Sequence, residues 1–417
     1  MVEKIVHSVK KLLKGFFVFL FAIVILVNLF ILLSGRTYLY KGVSNTYLLG
    51  KSGPDIYDLD VFPYATIKKS EKPFKWLKNA KYNQYTLSYS EAKLHQETKS
   101  TAFLVFKGDE LLFEKYWEQH QIGTVSNAFS TAKTVVALLV GIAIDEKKIK
   151  SLDEPVGDFI PAFKSDDKKT ITIRHLLQMA SGLDWEESGK NPLSSNAESY
   201  YGTDLYGLVT RQKGIDPPGK KFNYQSGNSQ LLSFIVERAT GMKIWQYAQE
   251  KLWLKLGTQS DAFWSLDSEN GAAKAFCCLY ATAQDFGKIG RLIANYGNWN
   301  GQQIISENFV KDMLTNKAPI TSHGIENIYY GLHIWTYNDG EDDIYYCRGI
   351  LGQYVATIPS KKLVFVRLGH KRIPYLTYDQ YLKDKADGKP VEIKNIDQPK
   401  DFIEFVKMAK RIAETAK

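Results

Sequence analysis

Apolar residues are spread unevenly along the chain, and their longest uninterrupted run comes first. From Phe16 to Leu33 every residue except Ala22 and Asn28 is Phe, Val, Leu or Ile. A helix of that length crosses a hydrocarbon core of about 30 Å. Lys4, Lys10, Lys11 and Lys14 precede it, which favours a cytoplasmic N-terminus and an outward-facing remainder, periplasmic or extracellular. A cleaved signal peptide would carry a shorter apolar region, about 7–15 residues, ending at small residues. Leu33-Ser34-Gly35 is a poor cleavage site. Residues 1–15 therefore read as a cytoplasmic N-terminus and residues 16–35 as an uncleaved transmembrane anchor.

Beyond the anchor, residues 36–97 are rich in Tyr, Lys, Gly and Ser with little periodicity. They read as an extended lead-in lying against a folded body of residues 98–417. In that body Thr101–Phe106 and Leu111–Trp117 flank Lys107-Gly108-Asp109-Glu110, two β-prone runs around a turn, hence a hairpin. An apolar helix follows, from Ser130 to about Lys147. Thr170–Gly182 starts extended and becomes helical, with Gly182 closing it. Residues 184–215 read as a long polar and aromatic loop of the kind that shapes a pocket. Gln230–Thr240 is a helix stopped by Gly241, and a buried helix begins near Ala283 and runs to Ile293. Gly331–Thr336, Tyr354–Ile358 and Leu363–Leu368 are strand-like, the last two joined through Pro359–Lys362. In the tail, Phe402, Phe405, Val406, Ala409 and Ile412 share one face of an amphipathic helix. This order implies an α+β fold: an antiparallel sheet flanked by N- and C-terminal helices, with a helical subdomain inserted at roughly residues 150–295.

Composition narrows the function classes. The chain has 417 residues, 44% of them apolar and 24% charged, enough for a sizeable core in one large domain or two smaller ones. The formal charge is +9, but no Lys/Arg block marks a nucleic-acid stripe, so no nucleic-acid partner is expected. Cys277, Cys278 and Cys347 lack metal-ligand spacing. Adjacent cysteines rarely pair, so these read as buried small apolar residues. The histidines are scattered, no H-E-x-x-H motif occurs, and no metal or cofactor is implied. Nothing in the sequence sets an oligomeric state.

The candidate chemistry lies where the first helix of the body begins. Ser130-Thr131-Ala132-Lys133 places an amine and a hydroxyl on one helix face, and a serine hydroxyl needs such a neighbour to become nucleophilic. Ser8–Lys11, Ser90–Lys93 and Ser165–Lys168 have the same spacing. Only Ser130 opens a helix apolar enough to be buried, with Lys133 in it. The alternative is a capping serine beside a snorkelling lysine. His175 is flanked by Ile173, Leu176, Leu177 and Met179 and reads as a core or capping histidine. Gly214–Lys220 has the Gly and Lys spacing of a phosphate loop, but Pro217 and Pro218 remove donors and Lys221 replaces the Ser/Thr. It is a turn.

Three segments then fall in one order: Ser130-x-x-Lys133, Tyr224-Gln225-Ser226 before a helix, and Gly349-Ile350-Leu351-Gly352-Gln353 opening a strand. Together with TIRHLLQMASGL, PPGKKFNYQSGNSQLL, FCCLYATAQDFGKIGRL and RGILGQYVATIP, they give a chain that resembles the serine β-lactamase and penicillin-binding-protein superfamily. It is similar to the class C-like branch with its esterases, DD-peptidases and 6-aminohexanoate-dimer hydrolases. The resemblance covers roughly residues 98–380. It implies that Ser130 forms an acyl-enzyme, that Lys133 shares its proton, and that Tyr224 acts as general base and then protonates the leaving group. It also implies an oxyanion hole of the Ser130 and Ile350 N–H groups.

Two departures shape the expected substrate. Ser226 replaces the asparagine of the second motif, and Arg348-Gly349-Ile350 replaces Lys-Thr-Gly. Arg348 either supplies the missing positive charge or faces solvent. Ser226, Arg348, Gly349, Trp185 and Tyr200 are the expected substrate-binding residues, with the loop around Trp185, Tyr200 and Tyr201 lining the pocket. The expected activity is cleavage of a small amide, ester or peptide, with poor β-lactam hydrolysis. Alternatives are a DD-peptidase or weak β-lactamase, and a sensor that acylates slowly without turnover.

Overall fold

The computed structural model of the protein describes residues 1–315, 318–321 and 323–416. The N-terminal apolar run belongs to one helix, α1 (Val2–Leu33), followed by α2 (Tyr38–Asn45), strands β1 (Tyr64–Ile67) and β2 (Leu77–Lys78), and α3 (Tyr89–Glu97). The expected hairpin is β3 (Ser100–Lys107) with β4 (Glu110–Tyr116), and β5 (Ser126–Asn127) leads into α4 (Thr131–Asp145). The middle holds α5 (Ile173–Leu177), α6 (Ser195–Tyr201), α7 (Leu205–Thr210), α8 (Ser226–Thr240) and α9 (Ile244–Ala248), then β6 (Ala262–Ser265), β7 (Leu279–Ala281) and α10 (Ala283–Ala294). A small hairpin of β8 (Asn298–Trp299) and β9 (Gln302–Gln303) precedes α11 (Glu307–Thr315). Strands β10 (Trp335–Asn338), β11 (Asp343–Gly349), β12 (Gln353–Ile358) and β13 (Leu363–Gly369), with helices α12 (Tyr378–Ala386) and α13 (Lys400–Thr415), close the chain.

The main sheet has the order β10-β11-β12-β13-β3-β4-β2, antiparallel except for the β2–β4 edge. Strands from before α4 and from the last third of the chain thus share one sheet. Alternation along β3 and β13 sends Phe103, Val105 and Phe365 to the side of α13, where they pack with Phe402 and Phe405. Leu104, Phe106, Val364 and Val366 point the other way, toward α4 and α10. Two glycines let α10 lie close on that face. A Cβ on Gly287 would sit 2.7 Å from the Phe106 ring, and one on Gly290 would sit 2.5 Å from Val364 Cγ1. Although α10 falls inside the stretch expected to form a helical subdomain, it is a layer of the sheet. A second sheet, ordered β1-β6-β7-β5, runs beside α4 and delivers the backbone behind the site.

Several expectations change at the level of elements. Residues 36–97 are not an extended lead-in: β1 pairs with β6, and α3 opens with a capping box in which Glu91 N–H donates to Ser88 Oγ and Ser88 N–H to Glu91 Oε2. The 184–215 loop contains α6 and α7, each begun by a side-chain cap, Ser194 on Ala197 N–H and Asp204 on Gly207 N–H. Strand β11 goes unforeseen because its polar start conceals it. As a result Gly349 ends β11 rather than opening a strand, and β12 begins at Gln353.

Three histidines are buried deeply enough to resist protonation. His95 stacks on Trp117, His120 bonds Tyr57 Oη, and His333 bonds Ser229 Oγ and Leu177 O. Desolvation pushes His95 and His333 down to about 3 and His120 down to about 4. The unfolded chain takes up these protons near pH ~6.5, where the folded chain does not, so stability is complete above that pH and is lost as pH falls toward the folded values. Denaturant titrations should show stability falling between about pH 6.5 and pH 4, by up to roughly 1.4 kcal/mol per pH unit for each histidine. A flat profile across that window would contradict their burial as neutral rings.

Candidate active site

The turn into α4 is shaped from outside the helix. Asn127 Oδ1 accepts from Phe129 N–H at 2.8 Å, and Ala128 N–H donates to Leu279 O of β7 at 3.2 Å. Phe129 adopts φ +47°, a left-handed conformation uncommon for a bulky side chain and typical of functional turns. Ser130 follows at the N-cap position, yet its side chain makes no capping bond. Its Oγ is instead 3.0 Å from Lys133 Nζ. Lys133 is 2% exposed, and its Nζ also donates to Phe276 O at 2.8 Å. Among the described residues no carboxylate pairs with this lysine. A capping serine with a snorkelling lysine is therefore not what these residues form.

Tyr224 closes a third side: Lys133 Nζ lies 5.1 Å from its ring centre. The ring rests near Trp335 and Tyr330, at 5.6 and 6.0 Å. Its backbone is held by the segment after α5, where Asn223 N–H donates to Met179 O at 2.7 Å and Gln225 Nε2 donates to Leu183 O at 2.7 Å. Ser226, the first residue of α8, has a partner the sequence does not reveal. Glu187 accepts from Ser226 N–H at 2.7 Å and from Ser226 Oγ at 2.6 Å, and its carboxylate also takes Trp185 Nε1–H at 2.7 Å. A carboxylate at a helix N-terminus is favourably placed. The Ser226 hydroxyl is thus engaged internally rather than free for substrate. Trp185 is buried beside it, and a Cβ on Gly227 would sit 2.5 Å from the indole.

The end of β11 lies against the turn that carries Ser130. A Cβ on Gly349 would collide with Ala128 O, so only glycine lets the end of β11 pack this close to the backbone two residues before Ser130. Ile350 itself is exposed. The following turn, with Leu351 at φ +62°, is pinned by Arg367. That buried guanidinium donates from Nη1 to Leu351 O (3.0 Å) and Gly352 O (2.7 Å) and from Nη2 to Thr98 O (2.5 Å). Gln353 Nε2 holds Ile350 O at 3.1 Å. Arg348 has its own partners: its guanidinium stacks 3.2 Å over the Trp335 ring and donates to Asp397 O at 2.5 Å.

The remaining candidates separate. Tyr200 is buried edge-to-face on Phe62 at 5.2 Å, and burial raises its hydroxyl well above the usual tyrosine value. It packs in the body, between Phe62 and Tyr201. His175 caps α5, with Nδ1 accepting from Thr172 N–H at 3.2 Å. The cysteines require a correction: Cys277 and Cys278 form a disulfide, while Cys347 is free and buried. Adjacent cysteines seldom adopt the turn that permits the bond, and here Cys278 takes it, with φ +65°. Sequence reasoning thus missed the Phe276 carbonyl, Glu187 and this disulfide. FCCLY carried the resemblance without disclosing a role, and Glu187 was one acid among several in a loop.

A serine held by a lysine one turn along a buried helix, beside the end of the second strand of a helix-flanked antiparallel sheet, defines a serine hydrolase of the β-lactamase and penicillin-binding-protein fold. The chain belongs to the Beta-lactamase family, whose sequence pattern matches residues 88–387. It is 26% identical over 290 residues to the 6-aminohexanoate-dimer hydrolase of Paenarthrobacter ureafaciens, covering 66% of this chain and 73% of that one. It is 30% identical over 175 residues to a teichoic acid D-alanine hydrolase of Staphylococcus aureus, 41% of each chain. A solved structure assigned as a 6-aminohexanoate-dimer hydrolase from Bacillus anthracis shares the fold, with TM-score 0.65, 19% identity, and coverage of 79% of this chain and 92% of that one. The activity that goes with this family is serine-hydrolase cleavage of amide or ester bonds.

The Glu187 contacts generate a test. Glu187→Ala removes the acceptor for three donors and should destabilise the chain by about 1–3 kcal/mol, measured by denaturant unfolding. Glu187→Gln, which keeps an acceptor oxygen, should lose less. Equal stability of Glu187→Ala and wild type would show that the carboxylate does not anchor α8.

Proposed function

We propose that the protein is a membrane-anchored hydrolase that cleaves amide or ester bonds through an acyl-enzyme on Ser130. The observation that carries this reading is the 3.0 Å contact between Ser130 Oγ and the buried Lys133 Nζ. Ser130 Oγ attacks the substrate carbonyl, and its proton passes to Lys133 or Tyr224. The N–H groups of Ser130 and Ile350 receive the developing oxyanion, with Gly349 permitting their approach. Tyr224 returns the proton to the leaving amine or alcohol. Water then attacks the acyl carbonyl and regenerates Ser130. No step needs a cofactor.

The substrate reading rests on Arg348-Gly349-Ile350. With Arg348 committed to Trp335 and the Asp397 carbonyl, this edge lacks the lysine and threonine that would hold a β-lactam carboxylate. Small amides or esters fit better than β-lactams, in keeping with the names of the two curated relatives. On a panel of a short p-nitrophenyl ester, a linear amide dimer and a chromogenic cephalosporin, the wild type should turn over the ester or the amide. The cephalosporin should be hydrolysed much more slowly. Ser130→Ala should abolish turnover, a loss on the order of 10³-fold or more. Rapid cephalosporin hydrolysis, or turnover surviving in Ser130→Ala, would overturn the reading. Acylation without turnover of any substrate would favour a sensor.

The anchor reading rests on α1. It is 32 residues long, its most apolar window has mean hydropathy 3.2, and only 6% of that window is buried in the protein. At 1.5 Å per residue it exceeds the thickness of a hydrocarbon core. Full-length protein should stay with the membrane fraction through alkaline carbonate washing and leave it only in detergent, with the hydrolase domain open to protease from outside. A soluble chain beginning after residue 35 would contradict the anchor.

A further inference from the structure

The short segment from Lys274 to Leu279 lies directly behind the Ser130–Lys133 pair and touches both of its members' supports. On one side, Phe276 O accepts from Lys133 Nζ at 2.8 Å. On the other, Leu279 O accepts from Ala128 N–H at 3.2 Å, two residues before Ser130. Between these two carbonyls stand only Cys277 and Cys278, and they are joined to each other. The bond closes a small ring with the peptide between them, which removes most of the conformational freedom at the point linking the two supports.

The neighbours show that this segment is placed, not merely packed. Ala275 N–H donates to Gln230 Oε1 at 2.9 Å, Cys277 N–H to Lys274 O at 3.0 Å, and Ser265 N–H to Cys278 O at 3.0 Å. Trp264 Nε1 donates to Cys277 O at 3.0 Å. Cys278 holds φ +65°, a region L-residues seldom occupy without an added constraint. The disulfide is the covalent constraint present there. Among the described residues Lys133 Nζ has two hydrogen-bond partners, Ser130 Oγ and Phe276 O, so the direction of its amine depends directly on where Phe276 O points.

We propose that the Cys277–Cys278 disulfide is a positioning element of the acylation machinery, fixing the Phe276 carbonyl against Lys133 Nζ so that the oxidised chain acylates efficiently and the reduced chain does not. The proposal rests on reading Ser130 and Lys133 as nucleophile and proton acceptor. Reduction by a dithiol is balanced. One reductant thiolate attacks a cysteine sulfur, forming a mixed disulfide and releasing the other cysteine as a thiol. The reductant's second thiolate then attacks the reductant sulfur of that mixed disulfide and expels the remaining cysteine, leaving Cys277 and Cys278 as thiols and the reductant as a cyclic disulfide. Two electrons and two protons pass to the protein.

The test uses full-length protein in detergent micelles, with intact-mass measurement reporting the redox state. Ester kinetics are compared for the oxidised wild type, the dithiothreitol-reduced wild type, Cys277→Ser/Cys278→Ser and Cys277→Ala/Cys278→Gly. The last keeps freedom for the left-handed turn without the bond, and thermal unfolding of each is recorded. Reduction and both variants should lower kcat about ten- to a hundredfold, the scale of a small misplacement of a catalytic group. KM should stay within about twofold, the signature of an interaction made in the transition state. The limb of the pH–rate profile that reports the proton acceptor should move, and reoxidation should restore only the wild type. Wild-type kcat and pH profile after complete reduction would overturn the proposal. So would a kcat loss seen only in variants whose unfolding transition has collapsed, which would assign the bond to stability alone. Absence of ester turnover in the oxidised wild type would instead defeat the nucleophile reading beneath it.

Discussion

The amine of Lys133 is suspended between two oxygens, the Ser130 hydroxyl at 3.0 Å and the Phe276 carbonyl at 2.8 Å. Much of the architecture serves to keep it there. A buried amine without a carboxylate must find polar partners or destabilise its surroundings. Helix α4 supplies the burial, since Thr131 through Ala143 are all buried. Its own N-terminus supplies the serine, and the segment leading into β7 supplies the carbonyl. Removing any one of these would leave a polar group stranded in an apolar core. The site and the core are therefore the same structure seen from two sides.

The main sheet makes the complementary contribution. Its second strand, β11, ends at Gly349 against the Ala128 carbonyl, and the turn that follows is not left free. Arg367, fully buried on β13, binds two carbonyls of that turn and one before β3, while Gln353 binds a third in the turn. Preorganised backbone donors are effective because they need no rearrangement when charge develops. A guanidinium with several fixed donors suits the task of holding a backbone turn still. The tyrosine side of the site is held differently, by Glu187 at the start of α8 and by Gln225 reaching the strand-like segment after α5. Three separate anchoring devices thus converge on one small volume.

How far the sequence foretold this varies with the kind of interaction. The long apolar helix α1, the Gly108 hairpin, α4, the Pro359 turn and α13 were legible because long apolar runs, turn residues and amphipathic spacing are local signals. The Ser130–Lys133 contact was legible because helix geometry alone brings residues three apart together. Tyr224 and Gly349-Ile350 could be associated with that pair only through resemblance, since nothing local links positions so distant in the chain. Glu187, Arg367 and the Phe276 carbonyl stayed hidden for the same reason: each acts across the fold, and one acts through its backbone. The Cys277–Cys278 bond was misread because its formation depends on a left-handed turn that no neighbouring glycine announces. Tyr200, an aromatic residue of the same loop region as Glu187, packs edge-to-face on Phe62, a contact across the fold that no local pattern announces.

The central claim is that Ser130 is the residue that carries the acyl group. Peptide mapping by mass spectrometry after reaction of the full-length protein with a fluorophosphonate tests it most directly. The account predicts a single adduct on the peptide containing Ser130, with labelling strongly slowed in Lys133→Ala. An adduct on any other serine, or equal labelling rates in wild type and Lys133→Ala, would contradict it.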